Sequence, residues 1–211
     1  MAELPQIKRM RREIVRQVTN RKITGFQVFN EKILKGDRDL FMSKIVGSSF
    51  KEIWVMGKVL IFKITSGYFL FCNLFSNGEF VFGADEPKYI RAVFEFQGNL
   101  RLYLVDKRSN ATFEILDDSQ RKRRLVYFGT DPLGKEFTFS RFIQILRNKR
   151  TSIFNFLKNQ KYIYGIGDEY ADKICAHARV SQDKGIRELG QAEVKRLYRS
   201  IRRVLKIQLQ N

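Results

Sequence analysis

Most of this chain divides into two stretches that differ in the spacing of their hydrophobic residues, and that division limits the folds open to the chain. Between residues 23 and 116, branched and aromatic residues form short runs separated by turn-forming residues. In residues 100–105, Leu alternates with Arg and Tyr, as in a half-buried strand. After residue 136, apolar residues recur every three or four positions, which is typical of amphipathic helices. The pattern therefore predicts an α+β protein with a β-rich half followed by an all-helical half.

Further elements can be assigned within this division. Apolar residues on one face predict a helix over residues 3–19, before the strands. The strands should form a meander folded as a two-layer antiparallel sandwich, with a hairpin turn at Asn77-Gly78. Residues 117–135, which contain the basic run Arg121–Arg124, are expected to connect the halves. We predict domains at residues 1–116 and 136–211, with helices at about residues 138–148, 151–158, 169–178 and 191–207.

The charge of the chain indicates its class of partner. Forty Lys and Arg stand against 22 Asp and Glu, which gives a net charge of +18. A small domain needs a net charge of only about 2–8 for solubility, so the excess predicts a polyanion, in the first place DNA. A membrane surface fits less well, because no basic amphipathic segment also carries a bulky apolar insertion face.

Composition indicates what kind of protein this is. Hydrophobic residues make up 44% of the chain, enough for a packed core. No apolar run approaches the ~20 residues of a transmembrane helix, and the N-terminus is charged, so we expect a cytoplasmic, nucleoid-associated protein. Cys72 and Cys175 lie far apart, and His177 is the only histidine. We therefore expect no disulfide, no structural metal and no cofactor.

The most informative local motif is the glycine turn Gly165-Ile166-Gly167, which leads into a helix beginning near Asp168. Two glycines let the backbone turn tightly, and the free N–H groups at a helix start can hold a phosphate oxygen. The same residues also suit a helix cap without any ligand. The turn alone leaves both interpretations open.

Five short blocks stand out along the chain besides the general pattern. They are Ala2–Pro5, Gly57-Lys58 within a predicted strand, Asp106–Arg108, Asp131–Leu133 and residues 150–180. In this order they resemble the formamidopyrimidine-DNA glycosylase and endonuclease VIII family. The resemblance spans residues 2 to about 207 and implies a helix–two-turn–helix DNA-binding domain after a catalytic-type β-sandwich domain. Because the sequence ends at Asn211, it also implies a short member without the family's C-terminal zinc finger.

The resemblance implies a catalytic chemistry at the N-terminus. Removal of Met1 would expose the α-amine of Ala2, where the family usually has proline. This amine would attack C1′ of the damaged nucleotide to form a Schiff base, since an α-amino group with a pKa near ~7.7–8.0 is partly neutral at pH 7. Glu3 would be the general acid/base, and Lys58 would contact a phosphate near the site.

The resemblance also implies a set of DNA contacts. Arg108 would enter the duplex and read the base opposite the lesion, and Phe75 would serve as the wedge after base flipping. Several positions depart from the family: Asp168 stands for the turn asparagine that donates to phosphate, Asn73 for a histidine, and Phe154 for a lysine. The DNA-binding candidates are Arg108, Phe75, Asn73, Gly165, Gly167, Asp168 and Tyr170.

Three functions remain open at this point. The first is a monomeric DNA repair glycosylase with AP-lyase activity that acts on double-stranded DNA with a damaged, oxidised base or an abasic site. The second is a catalytically inactive relative that binds DNA, which the altered wedge and phosphate residues would suit. The third is an RNA- or ribosome-associated binder, against which the long β-rich half argues. The sequence favours the enzyme.

Overall fold

A computed structural model describes residues 4–75 and 77–210, with side chains up to residue 207 in the last helix. The described residues form two compact units, one of residues 7–124 and one of residues 125–210 together with residues 4–6. The first helix, α1 (Leu4–Val18), therefore begins in the second unit and continues in the first. The predicted α+β class is confirmed, and α1 lies within the predicted range of 3–19.

The first unit consists of two sheets that face each other. One has the strand order β1-β7-β8-β6 and the other β2-β9-β5-β4-β3; all neighbours are antiparallel except β2 and β9. Phenylalanine rings fill the space between the sheets, as in the pairs Phe50–Phe94 at 5.6 Å and Phe62–Phe80 at 5.9 Å between centroids. The strands are β1 (Ile23–Val28), β2 (Leu34–Lys35), β3 (Phe50–Met56), β4 (Val59–Ile64), β5 (Phe69–Asn73), β6 (Glu79–Phe82), β7 (Ile90–Phe96), β8 (Leu100–Val105) and β9 (Thr112–Leu116).

Two helices of this unit were not predicted. α2 (Arg38–Ile45) lies between β2 and β3, and α3 (Asp118–Leu125) occupies much of the predicted connector. The predicted hairpin at Asn77-Gly78 is wrong, because β5 and β6 belong to different sheets. The Gly78 N–H bonds to the Leu74 carbonyl at 2.9 Å, and a Cβ on Gly78 would lie 2.8 Å from that oxygen. The segment is thus a wider turn at which the chain changes sheets.

The second unit has a helical core. Its helices are α4 (Phe139–Leu146), α5 (Ile153–Lys158), α6 (Asp168–Ala178) and α7 (Gln191–Gln210), with a short 3₁₀ turn at Ile186–Glu188. They lie close to the predicted ranges. Buried side chains from all four helices form one cluster, which includes Phe142, Phe156, Ile174 and Leu197. No helix among the described residues is long and apolar enough to cross a membrane.

Candidate nucleic-acid interface and active site

Three of the predicted residues in the first unit lie next to one another. Lys58 lies in the tight turn between β3 and β4, not within a strand as predicted, and its carbonyl accepts the Leu74 N–H at 3.1 Å. Asn73 ends β5, opposite Val59. Its Oδ1 accepts the Phe75 N–H at 3.1 Å. The hairpin turn and the end of β5 therefore hold Lys58, Asn73 and Phe75 at one place in this unit.

Phe75 has the features of a side chain held out of the core. Its φ of 48° is left-handed, a conformation that costs a non-glycine residue about 1–2 kcal/mol. The side chain is 40% exposed although phenylalanine is usually buried. The next residue, Ser76, lies outside the described residues.

Arg108 lies on the loop between β8 and β9, which is built around a buried carboxylate. Asp106 is fully buried, and its oxygens accept the N–H groups of Arg108 at 2.9 Å, Asn110 at 2.6 Å and Ala111 at 2.7 Å. Charge-assisted hydrogen bonds of this kind are about twice as strong as neutral ones. Asp106 therefore fixes the backbone that presents the exposed Arg108. The sequence pointed to the block but not to this role of Asp106.

In the second unit, the glycine turn packs against the start of α1. Gly165 has a φ of 82°, and its carbonyl accepts the Leu4 N–H at 3.1 Å. Leu4 is fully buried, and a Cβ added to Gly165 would lie 2.6 Å from the Leu4 Cβ. Glycine is thus required here both by the backbone conformation and by the close approach of Leu4. Ala2 and Glu3 lie outside the described residues.

A glutamine side chain holds the glycine turn from within. The Gln160 Oε1 accepts the Gly165 N–H at 2.7 Å, and its Nε2 donates to the Ile166 carbonyl at 2.9 Å. One amide therefore satisfies backbone groups on both sides of the Gly165–Ile166 peptide. Sequence reasoning missed Gln160, because the contact joins two segments that share no repeating pattern.

Residues from the predicted connector also support the turn. The Gly129 N–H donates to the Gln160 carbonyl at 2.8 Å, and Thr130 pairs with Ile163 in a parallel bridge. The hydroxyl of the buried Tyr164 interacts with the Asp131 carboxylate; burial, and then this carboxylate, raise the pKa of Tyr164 well above its usual value. The block around Asp131 thus secures the segment that leads into the glycine turn.

The start of α6 carries an ion pair that the sequence did not predict. Gly167 is the N-cap and offers no side-chain cap, and Asp168 is the exposed first residue of the helix. The Asp168 carboxylate pairs with the Lys158 ammonium, which also lies 4.6 Å from the centre of the Phe154 ring. Tyr170 is fully buried in the helical core. The negative charge at the turn therefore has a cation beside it.

The cysteines remain thiols. Cys72 and Cys175 are both free and buried, and burial raises the pKa of each, that of Cys175 to about 11. Within the described ranges, no three His, Cys, Asp or Glu side chains come together in a way that could hold a metal ion.

Family models match both units. Residues 1–113 match the formamidopyrimidine-DNA glycosylase N-terminal domain, and residues 128–211 match the formamidopyrimidine-DNA glycosylase H2TH domain. Together they define a DNA glycosylase of the helix–two-turn–helix class. The chain belongs to the formamidopyrimidine-DNA glycosylase family.

Individual relatives agree with this assignment. Formamidopyrimidine-DNA glycosylase of Symbiobacterium thermophilum is 30% identical, over 97% of this chain and 69% of the relative. That of Pelotomaculum thermopropionicum is 27% identical, over the whole of this chain and 79% of the relative. The Lactococcus lactis enzyme in complex with abasic-site DNA has the same fold, with a TM-score of 0.92, 22% identity and coverage of 99% of this chain and 79% of that one.

Proposed function

We propose that this protein is a DNA repair glycosylase with AP-lyase activity whose nucleophile is the α-amine of Ala2. The observation that carries the proposal is the contact between Leu4 and Gly165, through a 3.1 Å hydrogen bond and close packing. It ties the start of the chain to the glycine turn. Because two residues span at most about 7 Å, the anchored Leu4 limits how far the amine of Ala2 can lie from that turn.

The reaction needs an amine and a proton carrier. After removal of Met1, the neutral amine of Ala2 attacks C1′ of the damaged nucleotide, the glycosidic bond breaks and the base leaves. The C1′–O4′ bond then breaks and O4′ takes up a proton, which opens the sugar ring and gives the imine. At a pre-formed abasic site, where C1′ is an aldehyde, the amine adds to C1′ and water leaves. Glu3 carries protons to and from the sugar as general acid/base. β-Elimination from the imine then nicks the abasic strand.

The residues gathered at the β3–β4 turn are assigned to the damaged strand and the duplex. Lys58 contacts a phosphate, and Asn73 holds the backbone of Phe75. The exposed ring of Phe75 fills the space that the flipped nucleotide leaves, since stacking on a base is worth about 1–3 kcal/mol. Arg108, on the loop fixed by Asp106, reads the opposite base.

At the glycine turn, Lys158 compensates for Asp168. An aspartate at a helix start repels phosphate, but the paired ammonium neutralises it and provides N–H donors. The backbone N–H groups at the start of α6, after Gly167, supply the remaining contacts. Tyr170 supports the start of α6 from the core and does not itself touch DNA, because its ring is fully buried.

The substrate is assigned from the relatives. Complexes of the Lactococcus lactis protein contain DNA with Fapy-dG, with an oxidised pyrimidine or with an abasic site. We assign oxidised and ring-opened bases in double-stranded DNA to this chain as well, in the cytoplasm at the nucleoid. Membership of a glycosylase family disfavours the inactive alternative.

Borohydride trapping tests the proposal. The mature protein is incubated with duplex DNA containing one abasic site, and borohydride reduces any imine to a stable amine. A covalent adduct is expected with Ala2 at the N-terminus. A matched protein that retains Met1 serves as the control and should trap far less. Tight binding of abasic-site and oxidised-base DNA with neither adduct nor excision would overturn the glycosylase assignment.

A further inference from the structure

A groove in the second unit is separate from the residues assigned to DNA. It lies between α4, the 3₁₀ turn at Ile186–Glu188 and the start of α7, and its volume is about 530 Å³. It shares no lining residue with the glycine turn or with the Lys158–Asp168 pair. Ligand pockets usually have volumes of about 300–1,000 Å³, so the groove can hold several bulky side chains.

The floor of the groove is apolar and partly open to solvent. α4 turns Phe142 into the core but leaves Ile143 40% exposed in the groove. An occupant that covers this exposed apolar surface would gain about 25 cal/mol of free energy for each Å² that it buries. The apolar lining residues are Phe139, Ile143, Leu146, Ile186, Leu189 and Val194.

The rim of the groove is positively charged. Arg147, Lys149, Arg187 and Lys195 line it, and among the described residues no Asp or Glu does. None of these four cations shares an ion pair with a carboxylate in the described part of the chain. By contrast, Lys184 nearby is paired with Glu193 at 2.8 Å. Lys149 also lies over the Tyr162 ring, 4.3 Å from its centre, but that contact leaves its positive charge in place. The rim can therefore pair with an acidic partner.

We propose that this groove binds an acidic, amphipathic segment of another protein. Carboxylates of the segment pair with the four rim cations, and its bulky apolar side chains occupy the floor beside Ile143. Nucleic acid suits the rim but not the floor, since phosphate gains nothing from an apolar surface. A second copy of this chain fits poorly, because two molecules of charge +18 repel each other. This inference does not depend on the glycosylase chemistry.

The test uses a short fluorescent peptide in which Asp residues alternate with Leu and Phe. Anisotropy should show saturable binding at concentrations below about 100 µM. Two control peptides separate the contributions, one with Ser in place of Leu and Phe, and one with Asn in place of Asp. Each should bind at least about tenfold more weakly.

Paired variants locate the site. Ile143→Glu places a carboxylate in the groove and should weaken peptide binding at least about tenfold. Ile207→Glu is the matched control, because Ile207 is 44% exposed on α7 and does not line the groove. It should leave peptide binding unchanged. Both variants should keep wild-type borohydride trapping, so a failure of the glycosylase assignment is recognised separately.

Four outcomes would overturn the proposal. The first is no binding of the acidic peptide below about 100 µM. The second is equal weakening by Ile143→Glu and Ile207→Glu, which would mean attraction by net charge alone. The third is selective loss of oligonucleotide binding in Ile143→Glu, which would assign the groove to nucleic acid. The fourth is self-association in light scattering that Ile143→Glu abolishes, which would assign it to a second copy.

Discussion

Replacement of Gly165 by alanine should destabilise the helical unit and disable the reaction together. An alanine whose backbone is held in the left-handed region, at a φ of 82°, costs about 1–2 kcal/mol. The new Cβ, 2.6 Å from the Leu4 Cβ, forces Leu4 to move, and overpacking of this kind costs about 1–3 kcal/mol. The free energy of unfolding should therefore fall by about 2–5 kcal/mol.

Gly67→Ala is the matched control for backbone strain alone. Gly67 has a φ of 86°, but a Cβ there meets nothing within 4 Å, so only about 1–2 kcal/mol should be lost. Both variants are compared with wild type by urea unfolding followed by circular dichroism. At temperatures where all three are folded, Gly165→Ala should slow single-turnover excision about 100-fold, because a shift of about 1 Å at a reacting group costs that much. Equal destabilisation by the two variants, or full activity of Gly165→Ala, would refute the role of the Leu4 contact.

Three further predictions concern single side chains. Lys158→Met should weaken DNA binding and lower the slope of log K against log salt by about 0.9, whereas Asp168→Asn should tighten binding. Phe75→Ala should slow base excision about 10–100-fold and change the unfolding free energy by less than about 1 kcal/mol, because the ring is 40% exposed. Between about pH 8.5 and 11, the free energy of unfolding of the wild type should fall as the pH rises. This fall should be steeper than in Cys175→Ala by about 1.4 kcal/mol per pH unit.

Each of these has a control or a contradicting result. If Lys158→Met leaves the slope of log K against log salt unchanged, Lys158 does not contact a phosphate. Phe29→Ala is the control for Phe75, since Phe29 is 48% exposed in the same unit; equal loss of excision in both would refute the wedge. For Cys175, the raised pKa means that the unfolded thiol loses its proton first, so stability is lost as pH rises. Identical pH slopes would show that the folded thiol ionises normally.

The sequence predicted those parts of the fold that depend on local patterns. The helices at α4 to α7 follow apolar spacing, and the strands follow runs of branched and aromatic residues. α3 also has a local signal in the sequence, because Asp117 and Gln120 each accept the other's backbone N–H in a reciprocal cap.

The contacts that build the site could not be predicted in this way. Leu4 lies 161 positions before Gly165, and Lys158 meets Asp168 across the glycine turn. Neither pair has a fixed spacing that a helix or strand would impose, so only the folded unit brings them together. The choice between a helix cap and a phosphate site at Gly165–Gly167 likewise depended on the family, not on the motif.

The most direct test of the account is to find which amine becomes attached to DNA. After borohydride trapping on abasic-site DNA, the adduct is digested with trypsin and nuclease, and the peptide that carries the sugar remnant is sequenced by mass spectrometry. The remnant is expected on the α-amine of Ala2, in the peptide that ends at Lys8. A remnant on the side chain of Lys58 or of any other lysine would contradict it.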